Sequence, residues 1–128
     1  MTQRNIILTL TDSGRKALIK AADNGVSVKF SHLALGAGMK ALGVGSEQLT
    51  DEKERQPIFS ASQIAPGQLR ISALFDADPA AVYKATELAL IGDGVVVGVW
   101  STTDANDALV VRTPGVPYTG GVPNLVEG

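Results

Sequence analysis

The feature that most constrains this chain is a period of two in hydrophobicity, repeated in two pairs of segments. In QLRISALF, Leu69, Ile71, Ala73 and Phe75 alternate with the residues between them. In the preceding PIFSASQI, Ile58, Ser60, Ser62 and Ile64 alternate with Phe59, Ala61 and Gln63. A strand sends successive side chains to opposite faces, so this pattern predicts half-buried strands. Ala65-Pro66-Gly67 lies between the two arms, with proline presetting φ and glycine accepting positive φ, so a hairpin is expected. YKATELALI and VVVGVWST form a second such pair around Gly92, Asp93 and Gly94, the expected structural turn.

One helix precedes them. In TDSGRKALIKAADNG, Ala17, Leu18, Ala21 and Ala22 share a helical face. Thr11 or Asp12 can cap its start, and Asn24-Gly25 can end it. Residues 5 to 10 read as an extended lead-in. VSVKFSHLAL reads as a strand with a one-residue slip near Ser31-His32, as a bulge would produce. Residues 36 to 57 read as a long irregular segment. Within it, SEQLTDEKER fits one helical turn capped by Ser46 and stopped by Pro57. Asp76 to Pro79 should end a strand, Asp104 to Asp107 should turn, and ALVVR should be the last strand. From Thr113 the chain is rich in Pro and Gly, which predicts an exit arm or linker over 113–128 after a domain spanning 1–112. The expected fold class is therefore α+β: one N-terminal helix packed on a mostly antiparallel sheet of two hairpins, with a long Gly-rich loop.

Composition narrows function. At 128 residues the chain fits one domain with a real core, with 45% hydrophobic and 19% charged residues. The net charge of −2 offers no electrostatic reason to bind nucleic acid or an anionic membrane. Without cysteine, neither a disulfide framework nor a thiolate metal site can form. The apolar run Ile6-Ile7-Leu8 is too short for a signal-peptide core, so synthesis in the cytoplasm without export is expected. Six aromatic residues leave little for an exposed sugar- or base-stacking platform once a core is built.

HLALGAGMKALGVGS, residues 32–46, raises the question of a phosphate-binding loop. Gly38 and Gly43 have P-loop spacing, but Val44 and Gly45 stand where Lys and Ser/Thr must be. Gly36 and Gly38 fit the start of a dinucleotide fingerprint, with Ala41 in the third place. The parallel βαβ unit that the fingerprint requires does not follow. His32, the single histidine, has Ser31 beside it, on the opposite face of a regular strand, so no triad is expected. Asp76 and Asp78 lack the further ligands of a calcium loop. Asp51, Glu52 and Glu54 interleave with Lys53 and Arg55, as on a solvated face. Glu87 sits mid-strand on the face of Ala85, Ala89 and Ile91. Either that face is solvated or Glu87 pairs with a base such as Arg70 or Lys84; a paired structural role is favoured. No catalytic, cofactor or metal site is expected, and the chain reads as a non-enzyme.

Three stretches together resemble the phage tail-collar fibre family. LTDSGRKAL, with Leu10, Thr11, Gly14, Ala17 and Leu18, is similar to its opening helix, and Leu35, Gly36 and Gly38 to the strand end that follows. ERQPI resembles the polar lead into its first hairpin. TELALIGDGVVVGVWS, with Glu87, Leu88, Ala89, Leu90, Gly92, Asp93 and Gly94, resembles its later hairpin, although Ala89 replaces a glycine and Ile91 an aromatic residue. The resemblance covers about residues 8 to 112. It implies a structural virion protein: the baseplate-proximal domain of a tail fibre, homotrimeric in the full fibre, bound to a baseplate or tail protein. Gly36, Gly38, Met39, Leu42 and Val44 then become the expected partner-binding loop. Two alternatives are a short baseplate or collar protein without a shaft, and a small ligand-binding protein using the glycine loop.

Overall fold

The computed structural model describes residues 6–23, 25, 29–65, 68–76 and 80–127. Its elements run β1 (Ile6–Leu10), α1 (Asp12–Asp23), β2 (Phe30–Gly36), β3 (Glu52–Ala65), β4 (Gln68–Phe75), β5 (Tyr83–Lys84), β6 (Glu87–Gly92), β7 (Val95–Ser101), a 3-10 turn at Ala105–Asp107, β8 (Val111–Arg112) and β9 (Tyr118–Glu127). One helix and mostly antiparallel strands bear out the coarse α+β expectation, with the balance strongly toward β. The sheet closes into a barrel in the order β1-β7-β6-β2-β3-β4-β9, and β5 and β8 form a separate two-stranded ribbon.

Two strands make the corners. β3 pairs with β2 through Pro57 and with β4 from Ile58 onward. β1 pairs with β9 in parallel over Ile6–Leu8 and with β7 over Thr9–Leu10. Each corner strand thus divides its backbone bonds between two sheets, which leaves the barrel without an open edge. Pro57, expected to stop a helical turn, lies at such a changeover, where a residue without an amide costs the ladder least.

The hairpins form as the alternation predicts. β3 and β4 are antiparallel neighbours, and β6 and β7 join through a two-residue turn with Asp93 at φ 51° and Gly94 at φ 78°. Positive φ at both central positions matches the twist of the flanking strands. The bulge expected in the second strand is present as a register shift between Phe30 and His32. The expected turn at Asp104 is the 3-10 turn, with the Asp104 side chain accepting from Asn106 N at 2.9 Å. Gly25, at φ 70°, follows the helix as expected. Asn24, Val26, Val28, Pro66-Gly67 and Asp78-Pro79 lie outside the described residues.

Three expectations are corrected. SEQLTDEKER holds no helical turn; Glu52–Arg55 belong to β3, whose ladder to β2 supplies partners that one isolated turn would lack. Ser46 instead closes a turn, its hydroxyl accepting from Gly43 N at 3.0 Å. The expected last strand ALVVR contracts to Val111–Arg112. The stretch expected to be an exit arm is, over Tyr118–Glu127, a barrel strand between β4 and β1. Its register to β4 shifts between Leu69 and Ile71, opposite Pro123-Asn124. A bulge there takes up the proline and hides the strand from a reading based on strict alternation.

Apolar residues form two clusters. Leu33, Leu35, Ile71, Phe75, Leu88 and Leu90 belong to the first and larger one. Ala34, Leu49, Ala89, Ile91, Val96 and Val99 form a second, with Leu42 packed against it. Adjacent β6 residues alternate between the clusters, so β6 is buried on both faces. The segment between β2 and β3 is what covers its second face.

Candidate functional site

A buried polar group with converging partners marks where chemistry could be held, and Glu87 is such a group. It is fully buried, at the start of β6 opposite Gly36 of β2. Its Oε2 accepts from Gly38 N at 3.1 Å and Asp51 N at 2.7 Å, and its Oε1 from Thr50 N at 2.9 Å. A carboxylate that accepts several backbone amides is compensated for its desolvation. The partners of Glu87 are therefore the two ends of the Gly-rich segment and not Lys84; the side chain of Arg70 lies outside those described.

The same contact accounts for two glycines. A Cβ on Gly36 would lie 2.6 Å from the Asp51 carbonyl oxygen and closer still to Glu87 Oε2. A Cβ on Gly38 would lie 2.5 Å from Thr50 Cβ and 2.8 Å from Glu87 Oε1. Both are buried. Their small size lets the backbone close on the carboxylate. Thr86 adds a further tie, its hydroxyl donating to Gly38 O at 2.6 Å.

This arrangement bears on the phosphate question. The amides of Gly38, Thr50 and Asp51 converge on an anion, and that anion is the chain's own Glu87. Farther along, Leu42 N donates to Ser101 Oγ at 2.8 Å and Gly43 N to Ser46 Oγ at 3.0 Å. Of the expected partner-binding residues, Gly36 and Gly38 are inside, Leu42 is half-buried against the second cluster, and Met39 and Val44 are 42% and 53% exposed.

The helix end of the pattern is also a close contact. Thr11 is buried and caps α1: its Oγ1 accepts from Gly14 N at 2.9 Å. Its own N–H donates to Val97 O at 3.0 Å. Val97 is the extra residue where the β6–β7 register shifts, so its carbonyl is free to accept from outside the ladder. A Cβ on Gly14 would collide with Val97 backbone atoms, 2.6 Å from its Cα.

A second polar node was invisible in sequence. Arg112 donates through Nε to Glu54 Oε1 at 2.7 Å and through Nη2 to Glu54 Oε2 at 3.2 Å. It also donates to Val116 O at 2.8 Å and Asp76 O at 2.9 Å. Tyr83 donates its hydroxyl to Glu54 Oε1 at 2.7 Å. Glu54 thus leaves the solvated face expected for residues 51–55, while Lys53–Asp51 and Arg55–Glu52 remain exposed ion pairs. Glu54 holds the Arg112 guanidinium above its usual range, against the pull of burial. Burial first, and then the bond to Glu54, push the Tyr83 hydroxyl up, with Arg112 opposing. The partner of Glu54 lies 58 residues away, and no local pattern marks it.

His32 and Ser31 do meet, at 2.9 Å between Nδ1 and Oγ, because the bulge at Phe30/His32 removes the alternation that should have separated them. The Ser31 hydroxyl donates to Ile91 O at 3.3 Å. Among the described residues no three His, Asp or Glu side chains gather to hold a metal ion, and no helix is long and apolar enough to cross a membrane. A cleft of about 320 Å³ lies between Ser13, Glu47, Arg55 and the β6–β7 turn, but the Arg55 guanidinium is engaged bidentately by Glu52. Set beside family models, curated proteins and solved structures, the chain matches none.

Proposed function

We propose that the chain is a structural, non-catalytic attachment domain of a phage-type tail fibre. In this reading it is the baseplate-proximal α+β head of a fibre, held to a baseplate or tail protein and homotrimeric in the complete fibre. It is made in the bacterial cytoplasm and resides in the virion tail. Neither nucleic acid, membrane nor cofactor enters its work.

One observation carries the reading. The family-like motifs are far apart in sequence, yet their residues meet as one unit: Gly36 and Gly38 close on Glu87. The Thr11 and Gly14 positions similarly seat α1 on Val97. The spacing of the motifs therefore has a physical basis in this fold, as it should if the resemblance is one of descent. The ligand-binding alternative is disfavoured because Glu87 already fills the converging amides of the glycine segment.

A short baseplate or collar protein without a shaft is the second reading. Immunogold labelling of particles induced from the source cells tests both. Gold at the tail end, with a reading frame continuing into a repetitive shaft, supports the fibre. Gold there without such a continuation supports the short protein. Particles free of label overturn both.

A further inference from the structure

We infer that Glu87 is a proton-sensitive latch: a proton taken up by its carboxylate releases the Gly-rich strap of residues 37–51 from β6 and uncovers the apolar cluster beneath. Between Gly36 and Glu52 the strap has no helix or strand of its own, so its position depends on what ties it to the barrel. One side chain holds both ends. Glu87 accepts from Gly38 N at the entry and from Thr50 N and Asp51 N at the exit. The remaining ties to the barrel and helix are neutral: the Thr86 hydroxyl to Gly38 O, Leu42 N to Ser101 Oγ, and Asp12 N to Val44 O.

The closed site has no place for a proton. All three partners of Glu87 are amide N–H groups, and an ionised carboxylate accepts at both oxygens. Two carbonyls at the strap ends already accept, Asp51 O from Ala37 N at 3.0 Å and Gly38 O from the Thr86 hydroxyl at 2.6 Å. A neutral acid would turn its O–H toward an amide or leave it unpaired, in a residue that is fully buried. No cation offsets the charge among the described residues. β2 presents Gly36 and β7 presents Ser101 as the register neighbours of Glu87. On the strap, Asp51 turns its side chain outward to Lys53 at 3.3 Å, and Lys40 and Glu47 are exposed.

The sign of the effect follows. With the strap closed Glu87 holds no proton; with the strap open, in water, it is free to take one. Proton uptake therefore favours the open strap, and closure, complete at neutral pH, is lost as pH falls. Leu42 and Leu49 leave with the strap, and Ala89, Ile91 and Val99 beneath them lose their cover. The barrel ladder on either side of β6 uses none of these bonds, so it survives the opening.

Residue-resolved amide hydrogen exchange on the full chain tests this, run from neutral pH down to about pH 3, where carboxyl groups ordinarily titrate, and corrected for intrinsic rates. The amides of Gly38, Leu42, Thr50 and Asp51 should open at least about tenfold more as pH falls, while those of Leu88, Ala89 and Leu90 stay protected. The carbon-13 shift of the Glu87 carboxyl should change over the same interval. Glu87→Gln, neutral and with donors of its own, should show the open strap at neutral pH and no further response to acid. Glu47→Gln, which removes an exposed carboxylate from the strap itself, should keep the parent response. Strap amides that stay protected over the whole range overturn the inference, whether or not the carboxyl titrates. So does loss of protection in the strap and in central β6 together, which is global acid unfolding, and so does a response abolished by Glu47→Gln. Should Glu87→Gln fail to fold, the exchange profile and carboxyl shift of the parent chain decide by themselves.

Discussion

Glu87 reaches across 49 residues of sequence to accept the amide of Gly38, and no larger residue could stand where Gly38 does. The glycines that look like a ligand loop are shaped by an internal carboxylate. The Gly-rich segment is a cover, pinned at both ends to β6, over apolar surface that a barrel would otherwise expose.

Removing the pin should be costly. Glu87→Ala leaves three amides without their acceptor, at about 1–3 kcal/mol for each one that water cannot reach. The expected loss is at least about 3 kcal/mol by chemical denaturation, with Glu87→Gln intermediate because its amide nitrogen cannot accept. A loss below about 1 kcal/mol for the alanine variant would mean the segment is held by other contacts.

Gly14→Ala should reverse the usual helix rule. In an exposed helix the change stabilises by about 1 kcal/mol. Here the added methyl meets the Val97 backbone, which cannot swing aside. Overpacking of this kind costs about 1–3 kcal/mol. A lowered melting temperature is expected; a raised one would show that α1 does not sit on β7 as described.

Arg112 and Glu54 should behave as a coupled pair. Their side chains are 1% and 13% exposed. Arg112→Met or Glu54→Gln alone strands a buried partner, at about 3–5 kcal/mol. The double variant should lose less than the sum of the singles, by about 1 kcal/mol or more in a double-mutant cycle. Strict additivity would dissolve the pair.

Alkaline pH should unfold the protein through its tyrosines. Tyr83 and Tyr118 are both pushed up in the folded state, mainly by burial. In the unfolded chain they ionise near pH 10. Their contribution is thus complete below about pH 10 and is lost as pH rises above it, because the unfolded state releases the proton first. Denaturation midpoints between pH 8 and 12 should fall more gently for Tyr83→Phe than for the parent. Equal slopes would sink this assignment.

The hairpin strands, the helix and its Thr11 cap, the bulge near Ser31 and the Asp93-Gly94 turn were all legible, because each rests on neighbours in sequence: period, cap and φ preference. β9 was not, because Gly120, Gly121 and Pro123 erase local preference and pairing with β4 and β1 alone makes it a strand. Residues 52–57 were misread for a related reason. Their charges suggest a solvated turn, while their partners lie on β2 and at Arg112.

The candidate site divides in the same way. By itself the sequence determined that glycines cluster at 36–45 and that Glu87 is anomalous within its strand. Only the tertiary structure decided that the glycines and the glutamate are one feature. It also decided that the start of α1 seats on Val97 through Thr11 and Gly14. The reason is physical: hydrogen bonds and close approaches between distant segments depend on where the barrel closes, and no local pattern encodes the partner of a buried charge.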